Sequence, residues 1–447
     1  MGTDAFGGVE MNKTRYILIV ILLIISSFAL AEKLFTPEQL REDLDFLVSK
    51  IVEEYYNPWL KVDKTEFWNL VEEKRAQLDH DMTWSEFYKI TAPLIAILHD
   101  QHSMLYPPMD AEIKVFPFRL RRVNGYIVVV DSICELPVGA IVTKVNGIPI
   151  EDIVEELEIY GISETRESRL NWLVNYFFQS LPEWWGTEEF EITYLYKNEE
   201  KLLSLEVTSS KHYRWITQPV RERNPSFELC GSIGILKVPS FNKAYENEIV
   251  DKVEEAVDSD ITDLIIDVRS NSGGSTRNAL NILQYFVDIP VKLAKGIGAK
   301  SYTRAGTDYA VSDYGVYVYP AEKRFSGRLW ILTDENVFSA NLIFLGFLAR
   351  EGIGTILGER SSETANFGFK QQAYLLPNTK CTAKLSKARI LLLEEGRHIE
   401  PDIPINLSLE EKISWIIGEA DPIIGLAVIA LLCYFSGMID KERIITT

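Results

Sequence analysis

A chain of 447 residues of which 47% are apolar is long enough for several structural units and has ample material for their cores. Its formal charge of −19, with no basic stretch to neutralise phosphates, argues against nucleic acid as a partner. Cys134, Cys230, Cys381 and Cys433 lie far apart without CxxC spacing, which argues against a disulfide framework or a cysteine metal site.

Lys13 and Arg15 precede an apolar run from Tyr16 to Leu30 that closes with Ala29-Leu30-Ala31. This make-up predicts a signal peptide over residues 1–31, cleaved after Ala31, or an uncleaved membrane anchor. Either one places the body outside the cytoplasm, secreted or membrane-associated. Residues 32–105 read as helical, because Thr36-Pro37-Glu38-Gln39 supplies the cap, first-turn proline and Glu/Gln of a helix start, and Leu40, Leu44, Leu47 and Ile51 an apolar side. The region ends in Ala96-Ile97-Leu98-His99-Asp100-Gln101-His102-Ser103. Its two histidines lack the HExxH pattern and the third ligand of a zinc site, and a histidine here also suits a helix end.

Strand signals begin at Phe116. Phe116–Arg121 and Tyr126–Val130 flank Asn124-Gly125, a hairpin signal, and Val145-Asn146-Gly147 precedes a helix from Glu151 to about Glu158. Residues 165–187 carry Trp172, Tyr176, Phe177, Phe178, Trp184 and Trp185, an aromatic-rich helix suited either to a lid or to core between domains. A closing hairpin, Phe190–Tyr196 with Leu202–Val207, ends a unit spanning 106–208. Beyond a long loop, strands and helices alternate: 233–238, 243–258, 264–268, 276–287, 329–332 and 339–350. That order predicts a layered α/β sheet with crossover helices, within a unit covering 209–410. Arg360–Lys370 is expected to be an exposed loop and Ile390–Leu393 a late strand. In the tail, 411–447, the uncharged stretch Pro422–Ile439 reaches the lower bound for a membrane span and is read as a packed or transmembrane helix.

Two stretches carry chemistry. In Leu329–Arg350 a strand ends in Thr333-Asp334-Glu335-Asn336 and a helix starts at about Ser339. A serine there is either a simple cap or a hydroxyl placed beside unpaired helix amides that can stabilise an acyl oxyanion. In Ile261–Asn281 a buried-strand pattern runs into Arg269-Ser270-Asn271-Ser272-Gly273-Gly274, where adjacent glycines let backbone N–H groups turn towards a ligand.

With these stretches the chain resembles the S41 family of serine peptidases, the C-terminal processing and tricorn-like proteases. Further matches are Ser232–Val238 leading to Phe241, Leu357-Gly358-Glu359-Arg360, and Ile399-Glu400-Pro401-Asp402-Ile403, and the likeness covers about residues 36–410. The resemblance implies a crotonase-like β-α superhelical catalytic core, an N-terminal helical region and a PDZ-like β-rich domain. It also implies that Ser339 is the nucleophile. Thr364 stands where the processing proteases have their lysine, and Lys370 is the nearest lysine; the tricorn-like branch uses histidine, which points to His102, although Gln101 replaces the family's usual glycine. Glu395 is expected to orient the histidine, with Glu359 competing, and Ala340 with Gly273 or Gly274 to form the oxyanion hole. Asp267 and Arg269 are expected to pair and hold their turn.

The expected activity is that of a serine-type endopeptidase hydrolysing peptide bonds of exported or unfolded proteins through an acyl-enzyme, with Ser339 as nucleophile, His102 as base, and no metal or other cofactor. The alternatives are a non-catalytic peptide- or lipid-binding relative and a Ser–Lys processing protease using Lys370. The expected partners are a polypeptide substrate and, through either apolar end, a membrane. The sequence leaves the oligomeric state open.

Overall fold

The computed structural model describes residues 33–211, 224–303, 306–422 and 424–425. It is an α/β architecture with an N-terminal helical region, a separate β-rich, PDZ-like domain and a body of sheets and helices.

Helices Pro37–Glu54, Lys64–Gln77 and Trp84–Thr91 build the N-terminal region. The first opens as the sequence suggests: Thr36 Oγ1 accepts from Gln39 N–H, and Gln39 Oε1 accepts from Thr36 N–H. Leu40, Leu44, Leu47 and Ile51 are buried along one side, and they share their core with Leu376, Cys381, Ala383 and Leu385 from the far end of the chain. Asp43, fully buried, fastens that junction by accepting from Asn378 N (2.8 Å), Thr379 N (2.7 Å) and Thr379 Oγ1 (2.5 Å).

The PDZ-like sheet runs antiparallel through Phe118–Val123, Tyr126–Ser132, Ile141–Val145, Glu189–Tyr196 and Glu199–Glu206. Both Asn-Gly turns have positive φ throughout, at Asn124 (49°), Gly125 (86°), Asn146 (50°) and Gly147 (75°), as two-residue hairpin turns require. The aromatic-rich segment is not one helix. It breaks into Arg166–Trp172, a π turn at Leu173–Phe177, a 3-10 turn at Phe178–Ser180, and Leu181–Trp185. Its rings serve mainly as core: Trp184 packs on Phe177, Tyr160 and, across to the helical region, Tyr88.

The central sheet of the body has the order Ser226–Cys230, Ile233–Lys237, Asp263–Asp267, Arg328–Thr333, Thr355–Gly358, Ile403–Pro404. All pairs after the first are parallel. Alternate residues face opposite ways, so Leu264, Ile266 and Ile331 meet the helices while Ile265 and Leu332 join a second cluster with Leu357 and Leu407. The helix Ala340–Glu351 is buried from Ala340 to Leu348, and the strand ends before it and before Gly273 are adjacent. A further sheet pairs Met104–Tyr106 with Thr382–Leu391, which also pairs with Phe367–Leu375 and Gly296–Thr303.

Two expectations are corrected here. Arg360–Lys370 is not an exposed loop, because Ser361 to Gly368 are all buried and Phe367–Leu375 is a strand. Its polar side chains bond inside the protein: Asn366 Oδ1 accepts from Leu392 and Leu393 N–H, and Ser361 Oγ from Ile399 N–H. The transmembrane helix and membrane contact are also corrected, since among the described residues no helix is long and apolar enough to cross a membrane. The run Tyr16–Leu30, most of Pro422–Ile439 and Cys433 lie outside the described residues. Among the described residues, the helix that leads into the tail is Leu409–Ile417, capped by Ser408.

Asp43→Ala leaves the buried N–H and hydroxyl of Thr379 and the part-buried N–H of Asn378 without their acceptor, and is expected to cost about 3 kcal/mol. A urea-unfolding curve whose midpoint matches that of the unaltered protein would contradict this, and Asp43→Asn is expected to retain part of the loss.

Candidate active site

Ser339 precedes its helix at φ 56° and ψ −121°, and its side chain makes no capping hydrogen bond. The ordinary reason for a serine at a helix start is therefore absent. A non-glycine residue held at such angles carries about 1–3 kcal/mol of strain, which the surroundings must sustain. Those surroundings are the glycine turn of the neighbouring strand. A Cβ on Gly273 would lie 2.6 Å from Ser339 Cβ and 2.6 Å from Phe338 O, so the two turns touch only because residue 273 has no side chain.

Three asparagines and an aspartate lock the contact. Asn341 Nδ2 donates to Val268 O and Asn271 O, both at 3.0 Å. Asn271 Nδ2 donates to Val238 O at 2.9 Å, and Asn278 Nδ2 to Phe241 O at 3.0 Å. Asp334 accepts from the N–H and the hydroxyl of Ser270, each at 3.0 Å, and from Arg121 at 3.2 Å. As the sequence suggested, Arg269 pairs with Asp267 at 2.6 Å. It also reaches Asp421 at 2.7 Å and lies 4.7 Å from the Trp415 ring, which brings the tail onto the turn.

The hydroxyl of Ser339 lies 3.0 Å from His102 Nε2. His102 arrives through the pairing of Met104–Tyr106 with Thr382–Leu391, reinforced where Ser103 Oγ accepts from Ser386 N–H and donates to Asp100 at 2.6 Å. Asp100 fits because residue 368 is glycine: a Cβ there would sit 2.4 Å from Asp100 Oδ2. The imidazole packs on both Phe338 and Phe367, with centroids 4.5 and 5.2 Å away. Burial lowers its pKa to about 4; the Asp100 carboxylate works against that shift and Lys384 adds to it.

Other expected site residues fall into place differently. Glu395 is bound by Arg389 through two contacts of 2.6 Å, and His102 Nδ1 has no hydrogen-bond partner among the described residues. Glu359, the competing candidate, forms a salt bridge with Lys412 at 2.5 Å. Gly273 N–H already donates to Asn271 Oδ1 at 2.8 Å. That leaves the N–H groups of Gly274 and Ala340, neither of which has an acceptor among the described residues, to face a developing oxyanion. Lys370, at φ 57°, holds its ammonium over the Phe369 and Tyr314 rings. The sequence reading missed Asn271, Asn278, Asn341, Asp100 and Phe367; the asparagines beside the two motif stretches were the available signal.

A groove of about 410 Å³, walled by Arg119, Arg121, Tyr176, Lys237, Ser272 and Trp415, runs beside the glycine turn. A smaller cavity of about 40 Å³ shares Asn175, Tyr176, Ser272 and Asn336 with it and ends at Phe338 and Gln101.

His102 stays neutral in the folded state down to about pH 4, whereas an unfolded histidine takes up a proton near pH 6.5. Its contribution to stability is thus complete above about pH 6.5 and is lost as the pH falls towards 4. His102→Gln is expected to shrink the drop in urea midpoint between about pH 6.5 and 4.5. An equal drop in both proteins would refute the neutral imidazole.

Residues 232–405 match the family model of Peptidase family S41. No curated protein matches the chain. Among solved structures, mature CPAF superposes over 86% of this chain and 95% of its own, with a TM-score of 0.66 at 15% identity. Mature CPAF complexed with lactacystin covers 85% and 96%, with a TM-score of 0.65 at 15% identity. A structure from Parabacteroides merdae covers 91% and 100%, with a TM-score of 0.50 at 16% identity. At these identities the likeness concerns the fold. The family match corrects the functional expectation built on a serine–histidine endopeptidase: S41 peptidases are known for a Ser–Lys dyad, so the match supports the Ser–Lys alternative better than the histidine base. What the match carries without that detail is the reaction class: over residues 232–405, less than half of the chain, the protein is similar to peptidase family S41, and this likeness supports a serine-type peptidase.

Proposed function

We propose that the chain hydrolyses peptide bonds of a polypeptide with Ser339 as its nucleophile. The observation that carries this reading is the strained, non-capping Ser339 in the turn after a central strand, pressed against a glycine turn. Its Oγ attacks the carbonyl carbon while a base takes the hydroxyl proton, and the carbonyl oxygen becomes an oxyanion facing Gly274 and Ala340 N–H. The C–N bond then breaks, the amine leaves with a proton, and water releases the acid from the acyl-enzyme. The groove of about 410 Å³ beside Ser272 and Tyr176 supports the binding of part of a polypeptide.

The parallel strands with buried helices between them support extending the fold to a crotonase-like β-α superhelix. Separate hydrophobic clusters support the division into 32–105, 106–208 and 209–410, although the first shares its core with the last.

Ser339→Ala is expected to reduce hydrolysis of an unfolded protein by about 10³-fold or more and to abolish labelling by a fluorophosphonate. Undiminished turnover, or labelling elsewhere, would sink the assignment. Two further variants read the base. Under the family's pairing Lys370→Ala removes turnover, which requires the ammonium to leave the Phe369 and Tyr314 rings. Loss confined to His102→Ala would instead assign the proton to the imidazole already in contact with Ser339.

Export is a further part of this reading, supported by Lys13, Arg15 and the run from Tyr16 to Leu30. Edman sequencing of the protein recovered outside the cytoplasm is expected to begin at Glu32. A cytoplasmic protein beginning at Met1 or Met11 would defeat it.

A further inference from the structure

The small cavity that reaches Val337 and Phe338, the two residues before Ser339, is built from polar groups in an aromatic frame. Val337 and Phe338 form one wall, Trp172 and Tyr176 another, and Gln101 and Asn171 supply amides. Two atoms of those amides are buried without a partner, Gln101 Oε1 and Asn171 Nδ2. Leaving such atoms unmet costs about 1–3 kcal/mol each, a cost that a ligand offering the complementary groups removes. The orientation of Asn171 is set from outside the cavity, because its Oδ1 accepts from Arg122 at 3.2 Å; the unpaired end is thus the donor. Gln101 contributes the acceptor.

A cavity of about 40 Å³ has room for a few heavy atoms. Glu363, the acidic group on its wall, does not call for a cation: its carboxyl already accepts from Thr364 N–H at 2.9 Å and Glu164 N–H at 3.0 Å. Burial also raises its pKa to about 7. One donor, one acceptor and flat aromatic walls match a side-chain carboxamide, which presents C=O to Asn171 Nδ2 and NH₂ to Gln101 Oε1.

We propose that this cavity receives the substrate side chain adjoining the attacked carbonyl and selects a carboxamide, glutamine or asparagine. The proposal rests on the peptidase reading for the position of that carbonyl, since the cavity wall Val337-Phe338 leads directly into Ser339. An apolar side chain would leave both amide atoms unpaired, the situation in which a hydrogen-bonding site discriminates strongly.

The test separates binding from cleavage. The full chain carrying Ser339→Ala is titrated by calorimetry with acetyl-Ala-Ala-X amides in which X is glutamine, leucine or lysine. The glutamine peptide is expected to bind on the order of 10-fold more tightly than either of the others. Asn171→Asp, which keeps an acceptor for Arg122 and removes the donor, and Gln101→Leu are each expected to erase that difference. Equal affinities, a preference for leucine or lysine, no binding of any of the three, or a preference untouched by both variants would overturn the proposal. Fluorogenic amides of the same peptides, given to the unaltered protein, are expected to follow the same order in kcat/KM. Selective binding of the glutamine peptide without hydrolysis of any of them would defeat the peptidase reading and leave the recess standing.

Discussion

Everything at the site depends on one steric permission, the missing side chain at Gly273. The turns after two adjacent parallel strands approach until Gly273 lies against Ser339, and Ser339 accepts a backbone conformation that L-residues avoid. Such strain persists only where the surroundings over-determine it. Here Asn341 bonds across from the serine's helix to the glycine's turn, Asp334 clamps Ser270, and Arg269 ties the turn to Asp421. These bonds satisfy backbone carbonyls and N–H groups that a turn buried this deeply would otherwise leave unpaired.

A second constraint acts over a longer range. The strand Met104–Tyr106 is short, yet it fixes where His102 stands because its neighbours pair as well: Ser103 with Ser386, and Asp100 against Gly368. Phe338 and Phe367 then pack against the ring, and in removing it from water they keep it neutral. The imidazole's position is thus a product of sheet pairing and aromatic packing rather than of a carboxylate partner.

Features governed by local chemistry were legible in the sequence. The capping box at Thr36, the Asn-Gly turns, the strand before Gly273 and the helix after Ser339 all follow from residue type and spacing. What escaped depends on partners distant in sequence. Ser361–Gly368 has the composition of a surface loop, but its hydroxyls and amides serve backbone groups around Leu392 and Ile399. The aromatic segment has a helical pattern, and periodicity does not reveal a π turn in its middle. Glu395 sits at a suggestive spacing, yet Arg389 takes it. Of Gly273 and Gly274, which the resemblance offers as alternative oxyanion donors, spacing does not show that Gly273 already gives its N–H to Asn271. The family match reached the reaction class while overturning the chemistry assigned to the base.

The pairing that delivers His102 also sets an order of assembly. Ser339 and His102 are separated by 237 positions, and the strand that joins their surroundings, Thr382–Leu391, is made after both. During synthesis the N-terminal helices emerge without Leu376, Cys381, Ala383 and Leu385 to complete their core, and the serine's turn emerges without the sheet that brings Asp100 and His102 to it. A growing chain therefore carries Ser339 and His102 without the contact between them. The distance in sequence between the parts acts as a timer, holding the assembled site back until nearly the whole described chain has been made.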